Sequence, residues 1–440
     1  MKKTILFSLF LALTVFSGTA QKSWSLEDCI NYAWENNLSI KSSALNTESQ
    51  KIRLEQAKNK RLPDLNASLR TPLNYGLAPT ARGTNESSGA FTTSVSGGIN
   101  SSVTLFSGFQ IKNNIAAQGF NLQASIEDLK KAKESMAVSI SSSYLQVLYN
   151  KEMQTISEEQ VKLSNELLER SKVQAEYGKI PEGQVFEAKA QLSKDKQSST
   201  ESLNTLKLSL LDLSQMLELK DWATFDVVVP TINLQTLSTT IPAADEVYTY
   251  AINNKPDVKA SEYRLNSSEK SLEISKSGYY PTVSLNAYYN NGYYHNGSRI
   301  PFSRQLKSNY SAEISLSVSI PIFNRFDTKN NIKLSNIELE NAKITLENSK
   351  KTLYKEIQQA WFNAKSAMEK YQASADVVVN SLEAFRFSEE KYTNGKSTVY
   401  EFNQAKLNLA NAKSNQLQAK YNLLFCVKIL DFYKGEPLKL

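Results

Sequence analysis

The chain is short of the residues that break helices, cross-link small folds and hold metals, and each shortage excludes a class of protein. Eleven prolines serve 440 residues, and none falls within 80–180 or 322–436. An internal proline removes a helical hydrogen bond and clashes with the preceding turn, so both stretches are free to be helical throughout. The two cysteines, Cys29 and Cys426, are too few for a disulfide scaffold. Each lies in an apolar helical pattern, which leaves either buried thiols or one bridge. The sole histidine, His295, sits among loop-like Asn, Gly and Tyr residues. No Cys/His cluster, nucleophile elbow or phosphate-cradling loop is present, so no enzyme activity, cofactor or metal site is expected. Beyond the first 20 residues there is no apolar run of about 18 residues or more, and no transmembrane helix is expected. The formal charge of +7 is spread along mixed-charge segments, so nucleic acid is not an expected partner.

What is present begins with a leader. Met1-Lys2-Lys3 precedes an apolar stretch from Thr4 to Phe16 and the small residues Ser17-Gly18-Thr19-Ala20, the pattern of a signal peptide over 1–20, cut before Gln21. Its apolar core is too short for a permanent membrane span. An exported chain without helical spans is either soluble or part of a β-barrel.

The remainder is written twice. Ala33 matches Ala251, Asn36 matches Asn254, Lys41 matches Lys259 and Pro63 matches Pro281, at an offset of 218. At an offset of 217, Phe106 matches Phe323, Phe109 matches Phe326, Asn113-Asn114-Ile115 matches Asn330-Asn331-Ile332, and Gly178 matches Gly395. Past Gly178 the pairing of Ala190 with Ala405 and Leu192 with Leu407 suggests an offset of 215, with two extra residues in the first copy around Lys179-Ile180-Pro181-Glu182-Gly183. Matches in one order over this length mean an internal duplication. We read repeats over 21–229 and 230–440.

Each repeat has the same order of elements. First comes an amphipathic helix, about 26–58 or 243–276, stopped by Pro63 or Pro281. Two strands follow, about 64–75 and 91–106 in the first copy and about 282–294 and 310–323 in the second. Their apolar residues alternate with polar ones: Ala312, Ile314, Leu316, Val318, Ile320 and Ile322 against Glu313, Ser315, Ser317 and Ser319. A soluble sandwich would also alternate. Strands nearly free of charge, with tyrosines near their ends, suit an outer-membrane barrel, and since such barrels need at least about eight strands, four must be pooled with those of other copies. Long helical hairpins close each repeat, about 108–219 and 326–432. Ile115, Leu122, Leu129 and Met136 recur every seven residues, as do Ile332, Leu339, Leu346 and Leu353, the mark of coiled-coil packing.

With this order in place, the chain resembles the TolC-like family of outer-membrane efflux proteins. The resemblance covers essentially all of the mature chain. Its local marks are Leu105-Phe106-Ser107-Gly108-Phe109 and Ile322-Phe323-Asn324-Arg325-Phe326, and the hairpin tips Tyr177-Gly178-Lys179 and Tyr392-Thr393-Asn394-Gly395-Lys396. The fold it implies is mainly α with a β-barrel portion: a homotrimer giving four strands per protomer to a 12-stranded barrel in outer-membrane lipid, continued by a periplasmic helical tunnel. The implied partners are a periplasmic adaptor (membrane fusion protein) and an inner-membrane RND or ABC transporter.

The resemblance also implies roles for particular residues. Gly178 and Gly395 have a structural reading of their own, as the turns of the hairpins, where glycine tolerates positive φ. Adaptor contact at the tips would involve Arg170, Lys179, Arg386 and Lys396, each of which has the alternative of a solvated helix face. Glu401 and Gln404 fall where the family brings acidic residues to its closed aperture, and a ring of three Glu401 carboxylates would favour cations. The second ring is neutral here, and Ser397 stands where an arginine is expected. The alternative for Glu401 is an ordinary solvated helix residue.

The leading reading is an exit duct for small toxic compounds; the alternative is the duct of a type I protein secretion system. A trimeric adhesin would carry its strands together at the C-terminus, and a soluble coiled-coil protein would not need long uncharged strands.

Overall fold

The computed structural model describes residues 23–76, 90–230, 241–295 and 300–440. The leader and the linker residues 231–240 lie outside these. In chain order the elements are β1 (Ser23–Trp24), α1 (Leu26–Asn36), α2 (Leu38–Asn59), β2 (Asn66–Arg70), β3 (Leu73–Gly76), β4 (Ala90–Ser107), α3 (Gln110–Glu176), α4 (Glu182–Met216), β5 (Asp226–Val227), α5 (Ala244–Asn254), α6 (Pro256–Lys276), β6 (Thr282–His295), α7 (Phe302–Ser308), β7 (Ser311–Ser319), α8 (Asp327–Thr393) and α9 (Val399–Tyr433).

The first helix of each repeat is two helices. Asn37 ends α1 in an extended conformation, and its Oδ1 accepts from the Ser39 amide at 2.9 Å, starting α2. In the second copy Lys255 takes the equivalent place and Pro256 is the first residue of α6, a position where its missing N–H costs nothing. One continuous amphipathic helix is therefore corrected to a pair interrupted at the same point in both copies.

The long helices revise the spacing of the repeat. Both α3 and α8 have 67 residues, both α4 and α9 have 35, and every boundary is offset by 217. The tip loops are equal in length, so the two extra residues and the offset of 215 are not upheld. Burial gives the reason: at 217, Leu192 aligns with Leu409 and Leu213 with Leu430, all buried, whereas 215 would set buried Leu192 against Leu407, which is 49% exposed.

The chain forms two compact units. One contains the described residues of Ser42–Lys131 and Asn253–Thr352. Its sheet is antiparallel, in the order β2-β4-β6-β7, with β3 continuing past β2 along β4. Thr71 and Pro72 interrupt the first strand, which proline tolerates at a sheet edge. Ala287 opposes Ile314, Leu285 opposes Leu316 and Val283 opposes Val318, so one face is apolar. The other carries a polar ladder in which Ser102 Oγ donates to Asn286 Oδ1 at 2.9 Å and Asn286 Nδ2 donates to Ser317 Oγ at 3.1 Å. The helices of this unit meet through small residues. Thr47 Oγ1 donates to the Ser125 carbonyl at 3.1 Å, and the hydroxyl pairs Ser261–Ser349 and Ser275–Ser335 lie 3.0 and 2.7 Å apart. The seven-residue stripe of α3 is half-buried at Ile115, Leu122 and Leu129, while Leu346 in α8 is buried.

The other unit contains the described residues up to Lys41, with Ala132–Ile252 and Leu353–Leu440. Its main core joins Cys29, Ile30 and Ala33 of α1 to Ile140, Tyr144 and Leu148 of α3, Leu213 of α4 and Leu424 of α9. Tyr144 carries a polar tip into this core and satisfies it by donating to the carbonyls of Trp24 and Val228, at 3.1 and 2.7 Å. Cys29 and Cys426 are both free thiols. Burial pushes Cys29 up to about 12, as expected for a thiol that acts as a small hydrophobe.

Candidate functional site

The two hairpin tips turn in the same way. Gly178 has φ +69° and Gly395 φ +68°. In the first turn the Gly178 amide donates to the Ala175 carbonyl and the Lys179 amide to the Gln174 carbonyl, both at 2.9 Å. In the second, Gly395 donates to Tyr392 at 3.0 Å and Lys396 to Lys391 at 2.9 Å. These bonds close the orphan carbonyls at a helix end. A Cβ on either glycine would meet nothing within 4 Å, so the backbone alone requires glycine there.

An open groove of about 540 Å³ runs between the tips, lined by Lys179 and Ile180 from one loop, by Gly395 and Lys396 from the other and by Glu401 of α9. Glu401 is exposed and belongs to a capping box. Thr398 Oγ1 accepts from the Glu401 amide at 3.2 Å, while Glu401 Oε2 accepts from the Thr398 amide at 3.3 Å and from Ser397 Oγ at 2.6 Å. This reciprocal pair satisfies two donors at the start of α9. The Ser397 hydrogen bond, the Thr398 amide and then the charge of Lys391 hold the Glu401 carboxyl below the usual range. Gln404 is exposed one turn on, and its Nε2 donates to Asn408 Oδ1 at 3.1 Å. Arg170 and Arg386 are exposed and do not line the groove; Arg386 pairs with Glu383 at 3.3 Å.

Two links between the hairpins went unread in the sequence. Tyr392 is buried against Leu167, Val399 and Phe402, and its Oη lies 3.2 Å from the Oγ of fully buried Ser171 on α3. Further along, Lys406 of α9 enters between α3 and α4. Its Nζ donates to Asp195 Oδ2 at 2.6 Å, to Ser164 Oγ and to the Gln160 carbonyl at 3.3 Å. Burial lowers the Lys406 pKa, and Asp195 opposes that shift. The signal was the spacing Phe402, Lys406, Leu409, three buried positions on one helical face.

At the other end of the long helices, the strand-to-helix turns share a strained backbone. Gly108 and Phe109 have φ of 59° and 64°, and Arg325 and Phe326 have φ of 54° and 66°. In each turn two phenylalanines meet edge to face, Phe106 with Phe109 at 5.5 Å and Phe323 with Phe326 at 5.6 Å. These are the LFSGF and IFNRF marks. Among the described residues there is no group of His, Cys, Asp and Glu able to hold a metal ion, and no helix long and apolar enough to cross a membrane.

A family profile described as "Outer membrane efflux protein" matches residues 29–218 and 247–430. Toxin and drug export protein A of Aggregatibacter actinomycetemcomitans is 24% identical over 78% of this chain and 73% of its own length. Outer membrane efflux protein BepC of Brucella suis biovar 1 (strain 1330) is 21% identical over 96% of this chain and 88% of its own. Among solved structures, that of CusC, described in connection with folding and transmembrane channel formation, superposes with a TM-score of 0.80 over 94% of this chain and 92% of its own, at 17% identity.

Proposed function

The chain belongs to the outer membrane efflux protein family, and from that premise we propose that three copies form the exit duct of a tripartite pump for small toxic compounds. It is an outer-membrane channel component, a passive conduit and not an enzyme.

The observation that carries the trimer is the sheet. It offers four strand positions, with β2 and β3 at one edge and β7 at the other, too few for a barrel of at least about eight. Open edges with unpaired backbone groups have no place in a bilayer. Joining β7 of one copy to the first strand of the next closes a 12-stranded barrel, apolar outside and lined by the Ser102–Asn286–Ser317 ladder. The half-buried heptad stripe of α3 then gains its cover from a neighbouring copy. At the hairpin tips, Glu401 forms a ring that selects cations and Gln404 a neutral one. The groove with Lys179, Lys396, Gly178 and Gly395 at its tips, flanked by Arg170 and Arg386, receives a periplasmic adaptor. The pump above it is an RND or ABC transporter.

Deleting the gene and measuring dye accumulation tests the reading: raised dye retention and lowered drug tolerance are expected, and wild-type values of both would remove it. The second reading, a type I protein secretion duct, is kept because the relative named above carries both toxin and drug export in its name. Loss of a secreted protein with normal dye export would favour it.

A further inference from the structure

The loop joining β6 to β7 carries α7, a short helix fastened to one face of the sheet. Asn291 Nδ2 donates to the Leu306 carbonyl at 2.8 Å, Asn309 Nδ2 donates to the Gly292 carbonyl at 2.9 Å, and the Tyr293 and Phe302 rings meet at 5.3 Å. Strand alternation places Asn291 and Tyr293 in step with Leu285, Ala287 and Tyr289. They therefore share the face that presents Ile314, Leu316 and Val318, 80%, 62% and 56% exposed. α7 is seated on the apolar side of the sheet, as a continuation of its lipid-facing band.

Its place along the strands is equally defined. Ser107, Thr282 and Ser319 pair side by side where the chain leaves for the long helices, and α7 follows His295 at the opposite end. On α7 the buried Gln305 and half-buried Leu306 face the sheet, which turns Arg304 and Lys307 outward. Both are exposed, and neither forms an ion pair among the described residues. The sequence from Ile274 to Ala312 contains no Asp or Glu. Exposed Phe302 and Tyr310 stand beside the two bases, the mixture of aromatic and basic groups that settles at a membrane–water boundary.

We propose that α7 is a rim contact for the phosphorylated glycolipid headgroups of the outer leaflet, with Arg304 and Lys307 on the phosphates and Phe302 and Tyr310 at the acyl boundary. The inference rests on the outer-membrane reading above. Arg pairs with phosphate through two parallel donors and Lys as a point charge, and the segment from Ile274 to Ala312 supplies no carboxylate to compete for either.

The test uses the assembled full-length protein in phosphatidylcholine bilayers containing either phosphorylated lipid A, dephosphorylated lipid A or phosphatidylglycerol. Bound lipid is counted by native mass spectrometry and channel conductance is recorded in parallel. The wild type should retain phosphorylated lipid A in preference to both others, and Arg304→Gln with Lys307→Gln should weaken that retention about thirtyfold, the scale for two bases near an anionic surface, with conductance unchanged. Equal retention of the dephosphorylated glycolipid, equal retention of phosphatidylglycerol, or an unaffected double variant would each overturn the proposal. Failure of the wild type to insert and conduct would instead overturn the outer-membrane reading itself.

Discussion

The ammonium of Lys406 lies 2.6 Å from the Asp195 carboxylate, with only 4% of the lysine side chain and 14% of the aspartate exposed. A buried pair of this kind adds little over an apolar pair of equal volume, yet removing one partner strands the other charge in a low-dielectric site, at a cost of about 3–5 kcal/mol. Asp195 would keep only Gln191, which donates at 2.8 Å, and Ser164. Lys406→Met alone is therefore expected to lower the melting temperature sharply, and Lys406→Met combined with Asp195→Leu to restore most of it. Calorimetry of the purified protein checks this; equal melting temperatures for the single and double variants would show that the charge is not the reason.

Ser397 offers a test by pH. Its hydroxyl is the first cause of the lowered Glu401 pKa. A carboxylate with a folded-state pKa below its unfolded value contributes stability that is complete above the unfolded value and is lost as pH falls through the folded one. With the aperture ring proposed for Glu401, cation selectivity should follow the same titration. Ser397→Ala is expected to move the midpoint of selectivity loss to higher pH, read as reversal potentials in planar bilayers between pH 3 and 7. Coincident midpoints would detach the hydroxyl from the carboxylate, and selectivity unchanged by Glu401→Lys would take Glu401 out of the pore.

The glycines separate backbone cost from steric cost. Gly178→Ala and Gly395→Ala enter open space, so each should cost only the left-handed penalty of about 1–2 kcal/mol. Gly108→Ala adds a Cβ 2.7 Å from Tyr280 Cβ and 2.8 Å from the Ser277 carbonyl, and should cost distinctly more. Arg325, which holds the equivalent left-handed position without being glycine, should accept glycine with no loss of stability. Thermal unfolding of the four variants ranks them; a Gly108→Ala as mild as Gly178→Ala would contradict the close approach.

Much of this architecture was legible because its signals are periodic and repeated. The alternation from Ala312 to Ser319 marked a strand, and the seven-residue repeats from Ile115 and Ile332 marked the long helices within runs that proline leaves uninterrupted. The interruptions at Asn37 and Lys255 were not legible, because Asn and Lys both occur within helices and only Pro256 marks the second. α7 escaped because seven residues are too few for a helical period to declare itself. Lys406 carries little signal by type, since a charge on a helix is usually solvated; its spacing from Phe402 and Leu409 is what places it on a buried face. For Glu401 the expectation is an aperture carboxylate or a solvated helix residue, while Thr398, three residues before it, already spells a capping box. Past the hairpin tip, residue identity pairs Leu192 with Leu407, whereas burial pairs it with Leu409.

The two faces of β7 provide the most direct test of the barrel. Leu316 and Ser315 are neighbours in sequence and point to opposite sides of the sheet, Leu316 opposite Leu285 and Ser315 opposite Asn286. An arginine on the lipid face near the bilayer midplane costs about 2–4 kcal/mol per site, whereas the lumen accepts one in water. Leu316→Arg would place three such charges in lipid per trimer and should abolish insertion into bilayers or greatly lower its yield. Ser315→Arg should insert like the wild type and shift ion selectivity toward anions. A soluble sandwich would show neither difference, since both faces would then meet protein or water. Equal insertion of the two variants, with no change in selectivity for Ser315→Arg, would rule out the barrel.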